Sequence, residues 1–287
     1  MNKLDCKSHT LDELIIQQGL CAVGTLDDDP RTKDLVFVVG GAATQSYLPS
    51  TCRRPSTDID LAVLRPFGKP DIKDFARHPL DYLIGKGYTC QLRHGQNSYQ
   101  LLYAKDDQLA VIEFARRNTN NYNKHAPRLT AELSRARRKI VEGTDSTCRF
   151  ASPEDIVAPK LVRTVNSFAR DIGFMDIIMK EGYFPLTSEG VSYRLRKIER
   201  LREEASLHVG DPAISERLRI VCDMYDIRVL SAVAGYNEPS LLASMKPWDS
   251  LRSHPEEVAV IFSHLLPKFS SDFLRKFKST LSDESIS

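Results

Sequence analysis

The chain has 287 residues, 41% apolar and 27% charged, with 40 Lys and Arg against 38 Asp and Glu. That composition excludes a disordered chain and a fibrous repeat, and no run approaches the roughly 20 apolar residues of a membrane helix. A formal charge of +2 excludes a uniformly basic coat for nucleic acid, but not a local basic groove. The six cysteines are scattered, with no CxxC pair and no His at zinc-ligand spacing. Reduced thiols in the cytoplasm are the expectation, rather than a metal cluster or a disulfide framework. The N-terminal MNKLDCKSHTLDEL has no continuous apolar core after its Lys, so no secretory signal is expected there.

In chain order, Leu11 to Val23 reads as a short helix, with Leu11, Leu14, Ile15 and Leu20 near one face. A polar loop, GTLDDDPRTKD, separates it from the apolar run Leu35–Val39. That run is β-branched, too short for a helix and closed by Gly40-Gly41, which predicts a buried strand. Ala42 to Leu48 looks helical and stops at Pro49. A second strand is predicted over Ile59–Leu64 and a helix over residues 71–86. Tyr88–Arg93 and Ser98–Ala104 read as a hairpin across His94-Gly95-Gln96-Asn97, and Leu109–Phe114 as a further strand. From about residue 127 the pattern turns mostly helical. Ser152-Pro153-Glu154-Asp155 opens a helix, with a Ser cap, Pro at the first position and acids in the first turn. The expected fold class is α+β: a small mixed sheet flanked by helices over residues 1–145, then a helical domain over 146–287. The tail after Leu281 is expected to fray.

The chemistry concentrates in Val38-Val39-Gly40-Gly41-Ala42-Ala43 and Arg54-Pro55-Ser56-Thr57-Asp58-Ile59-Asp60-Leu61. A strand that delivers two glycines at a helix start lets backbone N–H groups approach an anion closely, as a phosphate seat does. Asp58 and Asp60 stand two apart on a strand, hence on one face. Two carboxylates there repel each other and lose hydration, and a divalent cation relieves both costs. Glu113 is a third acid, inside the apolar run Leu109–Phe114, where a carboxylate is unusual unless paired or metal-linked. If its strand neighbours that of Asp58 and Asp60, the three acids converge as a metal site and as general-base machinery for an attacking hydroxyl.

Gly-Gly, Arg-x-Ser before Asp-Ile-Asp-Leu, and an acid on a later strand together resemble the nucleotidyltransferase superfamily of the DNA polymerase β type. The GGAA form and the following helical domain resemble the AbiEii group, the toxins of bacterial type IV toxin–antitoxin and abortive-infection systems. The strong match covers residues 36–64, with looser support to about residue 180. It implies a Mg²⁺ cofactor (or Mn²⁺), an NTP substrate held by Gly40 and Gly41, and metal ligation by Asp58, Asp60 and Glu113. It also implies an antitoxin protein as partner and the tRNA 3′ end as the leading acceptor, with a protein or small-molecule acceptor, phosphate transfer, and a nucleotide-binding module without turnover as alternatives. The helix from Ser152 resembles the family helix whose Lys faces the nucleotide, which makes Lys160 a phosphate ligand. Pro159, directly before it, departs from that pattern. An acid pair further on maps onto Asp176 by one alignment and Asp171 by another. Ser56 either caps the turn before its strand or touches phosphate or metal, and Arg54 either contacts phosphate or braces the loop. The run Arg135–Lys139 reads as a solvated helix face or as a nucleic-acid track. His94 and His125 read as loop residues.

Overall fold

The computed structural model describes residues 13–95, 97–170, 173–266 and 271–282. The expectations for Leu11, Gln96, Asp171 and the tail beyond Ser282 lie outside them. The chain divides into two compact units: one holds the residues up to Ser46 together with Arg54–Ser152, the other Tyr47–Arg53 together with the residues from Pro153 on.

The first unit is a seven-stranded mixed sheet with helices. Its strands are β1 (Val36–Val39), β2 (Asp58–Val63), β3 (Thr89–His94), β4 (Ser98–Lys105), β5 (Gln108–Ala115), β6 (Arg137–Ile140) and β7 (Thr147–Phe150). They lie in the order β3-β4-β5-β2-β1-β7-β6. β5 and β2 run parallel, as do β1 and β7, and the remaining neighbours are antiparallel. The helices are α1 (Glu13–Gly24), α2 (Gly40–Gln45), α3 (Ile72–Gly85) and α4 (Thr119–Arg135).

Alternation along the strands sorts the sheet into two faces. On one face Tyr99, Phe114, Leu61 and Val38 form a lateral row across four strands, and all are buried. α1 covers that face: the Tyr103 hydroxyl donates to the Ile15 carbonyl at 3.0 Å. Gly19 makes the approach feasible, since a Cβ there would lie 2.0 Å from the same hydroxyl. Phe67 adds an aromatic knot, 5.0 Å edge-on to Phe75 and stacked on Phe114 at 5.8 Å. Burying rings of this size stabilises by about 1.5–3 kcal/mol each.

Three expectations change here. The chain does not turn helical at residue 127: α4 already begins at Thr119, capped by the Asn118 side chain, and β6 and β7 then return to the sheet. The basic run is therefore not one helix face. Arg135 ends α4, while Arg137, Arg138 and Lys139 sit on the edge strand β6. His94 closes β3 and His125 lies within α4, so neither is a loop residue.

The second unit is helical: α5 (Pro153–Arg170), α6 (Gly173–Glu181), α7 (Ser188–Leu207), α8 (Pro212–Val233), α9 (Glu238–Met245), α10 (Asp249–Ser253), α11 (Pro255–Leu265) and α12 (Ser271–Ser282). Side chains of Thr187, Asp211 and Asn237 cap α7, α8 and α9. α8 is buried without interruption from Ile220 to Leu230, which marks it as the central helix. That burial carries charged groups with it, and each is answered. Arg228 donates to the carbonyls of Phe184 and Leu265 at 2.8 and 2.9 Å. Asp223 and Asp226 face α5, where Lys160 and Arg163 meet them.

Candidate active site

The glycine turn is set by backbone geometry. Gly40 has φ +68°, a left-handed conformation that costs other residues roughly 1–2 kcal/mol. The antiparallel register pairs Val39 with Asp60, so the turn stands over the Asp60 carboxylate. A Cβ on Gly40 would lie 2.2 Å from Asp60 Oδ2. One on Gly41 would lie 3.0 Å from Ser56 Oγ and 3.5 Å from an Arg54 guanidinium nitrogen. The glycines thus hold open the space into which Arg54, Ser56 and Asp60 project.

α2 has only six residues, starts at Gly40 and ends well before Leu48. Its polar side chains brace the turn. Thr44 Oγ1 donates to the Gly40 carbonyl at 2.9 Å, and the Arg54 amide donates to Gln45 Oε1 at 2.9 Å. Ser56 is buried and donates to the Asp58 carbonyl at 3.2 Å and to Asp58 Oδ1 at 3.4 Å. It therefore ties the turn to the first strand carboxylate.

Parallel pairing of β2 and β5 sets Asp60 directly against Glu113. Pairing of β5 with β4 sets Glu113 against Gln100. One lateral row therefore reads Gln100, Glu113, Asp60, Val39, on the face opposite the buried aromatic row. Gln100 Nε2 donates to Glu113 Oε1 at 2.5 Å, which draws the Glu113 carboxylate toward β4, the strand on the far side of β5 from β2. Among the described residues no group of three or more His, Cys, Asp or Glu side chains is gathered closely enough to hold a metal ion. The adjacency of strands expected for the three acids is present, but their carboxylates are not pooled around one point. Strands stand about 4.8 Å apart and Asp58 lies two residues along from Asp60; Glu113 accepts from Gln100 and Asp58 from Ser56, each a neutral donor. The donor set fits a hard divalent cation at Asp58 and Asp60, with oxygens of a bound phosphate completing the shell.

Gln100 is the residue that sequence reasoning missed. Its alternation with Tyr99 and Leu101 gives its face, but only the register shows which acid it meets.

Lys160 and Asp176 belong to the helical unit. Lys160 is almost fully buried, with Nζ 3.1 Å from Asp223 Oδ1 and 2.8 Å from Asp226 Oδ2. Arg163 adds two bonds of 2.8 Å to Asp223. This corrects the phosphate contact implied by the resemblance: the ammonium is buried between two carboxylates and donates to both. Pro159 sits inside α5 and the helix continues past it. Asp176 is exposed on α6, 3.6 Å from Lys180 one turn on, the arrangement of a surface ion pair.

No family model matches the chain, and no curated protein matches it. Among solved structures the chain is similar to the crystal structure of an antigenic nucleotidyltransferase-like protein from Paracoccidioides brasiliensis, at 13% identity over 94% of each chain with a TM-score of 0.47. A likeness at that level transfers no residue role and no activity. Among the described residues no helix is long and apolar enough to cross a membrane, and no disulfide joins the described cysteines.

Proposed function

We propose that this chain is a Mg²⁺-dependent nucleotidyltransferase that moves NMP from an NTP to an acceptor hydroxyl. The observation that carries the reading is the opposition of Asp60 and Glu113 in one lateral row, beneath a glycine turn held over Asp60. In this reading the Gly40-Gly41 turn seats the triphosphate through backbone N–H groups, with Ser56 bracing Asp58. Asp58 and Asp60 would hold the cation, which when bound neutralises phosphate charge. Glu113, fixed by Gln100, takes the proton of the acceptor hydroxyl. The oxygen then attacks the α-phosphorus, the α–β anhydride bond breaks, and pyrophosphate leaves with the electron pair. Positioning and charge neutralisation supply most of the acceleration.

The finer reading is an AbiEii-like toxin of the cytoplasm that modifies the tRNA 3′ end and is restrained by an antitoxin protein. It rests on the resemblance of residues 36–64. A second reading, a nucleotide-binding module without turnover, is favoured by the unpooled carboxylates.

The test is incubation with each labelled NTP, Mg²⁺ and total RNA, repeated with Asp60→Ala. Label on RNA that disappears in the variant supports the proposal. Label on the protein itself redirects it to protein nucleotidylation. Nucleotide bound but transferred to nothing, including small hydroxyl acceptors, overturns it in favour of the module.

A further inference from the structure

From Phe114 to Ala131 the chain carries Arg116, Arg117, Lys124, His125 and Arg128 and no Asp or Glu. This stretch leaves the end of β5, the strand of Glu113, and forms the first three turns of α4. Arg117 is fixed at its base: its amide donates to the Phe67 carbonyl at 3.2 Å and its carbonyl accepts from the Phe67 amide at 2.8 Å. Phe67 is itself locked in the aromatic knot. The backbone of Arg117 is thus anchored at the core, its side chain is half-buried, and its Nη1 is buried with no hydrogen-bond partner among the described residues. A buried cationic donor without an acceptor is costly and rare.

Its surroundings do not supply the missing acceptor. On α4, Lys124 and Arg128 are one turn apart on the same face, and His125 adjoins them. The carboxylate that acts on Arg117, Glu132, accepts from Arg128 at 2.7 Å. Burial and then Arg128 disfavour the charge on Arg117, with Glu132 opposing. Burial and then Arg128, Arg117 and Lys124 hold the His125 imidazole below its usual range. These four side chains therefore feel one another as a cluster of like charge beside the Glu132 carboxylate. Around it, Asn120, Asn121 and Asn123 present exposed carboxamides.

We infer that Arg117, Lys124, His125 and Arg128 form a seat for the phosphodiester backbone of a nucleic-acid strand. A bound phosphate supplies the acceptor that Arg117 Nη1 lacks and relieves the repulsion among the cations. The exposed carboxamides suit sugar and base edges, which a free phosphate does not offer. The choice of a strand over other phosphates rests on the nucleotidyl-transfer reading.

The test is binding of a short fluorescent mixed-sequence RNA across a salt series, for the full chain and for Arg117→Gln and Lys124→Ala. Lys124 is exposed, so its replacement leaves the fold intact even if the Arg117 variant does not fold. Each replacement is expected to weaken RNA binding several-fold and to lower the log–log salt slope by about one, with ATP binding unchanged. An unchanged slope in Lys124→Ala together with unchanged affinity in any folded Arg117 variant overturns the inference. So does weaker binding of ATP or pyrophosphate with RNA unaffected, which would make the cluster a nucleotide phosphate subsite. RNA bound through these residues by a chain that labels nothing would sink the transfer reading and spare this one.

Discussion

Replacing Gly40 by Ala tests the geometry of the candidate site most directly. Two effects follow from the structure. The left-handed φ of +68° costs an alanine about 1–2 kcal/mol, partly offset by the smaller backbone entropy it loses on folding. The new Cβ would stand 2.2 Å from Asp60 Oδ2. The carboxylate must retreat by roughly 1 Å to reach ordinary contact, and a misplacement of that size costs on the order of 100-fold in rate. Gly40→Ala should therefore lower unfolding free energy in urea by about 1 kcal/mol and lower transfer at saturating NTP by about 100-fold. Placed in an Asp60→Gly background, where the contact is gone, the same substitution should show the backbone cost alone. Gly41, whose added Cβ meets Ser56 Oγ at 3.0 Å and whose φ is not left-handed, should tolerate Ala better. Wild-type transfer by Gly40→Ala would refute the reasoning, as would an equal stability loss in both backgrounds combined with a fully active single variant.

Lys160→Met removes the ammonium that bridges the buried Asp223 and Asp226 in the helical core. Unfolding free energy should fall by about 3–5 kcal/mol. A loss under about 1 kcal/mol accompanied by weaker NTP binding would return Lys160 to the phosphate. Glu181 is opposed by burial, but Lys197 and Arg194 together hold its carboxyl below the usual range. A depressed carboxyl contributes stability that is complete above its unfolded value of about 4.3 and fades as pH falls through the folded one. The stability gap between the natural chain and Glu181→Gln should thus be constant near neutrality and close on acidification below about pH 4. A gap that widens in acid would reverse the assigned sign.

How far the sequence reveals this molecule depends on where the partner of each residue lies. Strands β1, β2, β4 and β5 are legible because their burial is continuous or strictly alternating, and Gly40-Gly41 marks the turn. The opposition of Asp60 and Glu113 follows once β2 and β5 are taken as neighbours. β6 escapes notice because Arg137, Arg138 and Ile140 are exposed and carry no apolar period. Cys148 and Phe150 of β7 do alternate, but over only four residues, just ahead of a strong helix start. Lys160 misleads for a different reason. Its position on α5 matches a nucleotide-facing lysine, while its carboxylate partners lie more than 60 residues away on α8. Gln100 is silent for the same cause: a polar residue on an alternating strand signals solvent until pairing reveals the acid opposite it.

The segment Tyr47–Arg53 falls between the glycine turn and the strand of Asp58, yet it groups with the helical unit, where the Tyr225 hydroxyl donates to the Cys52 carbonyl at 2.7 Å. The polypeptide consequently passes between the two units three times, not once. A truncation after Ser152 would deprive this seven-residue stretch of its partners in the very loop that joins Gly41 to Asp58. The two units are therefore not separable by any single cut, and the entropy of closing the loop between the two halves of the candidate site is set by residues outside the sheet that carries them.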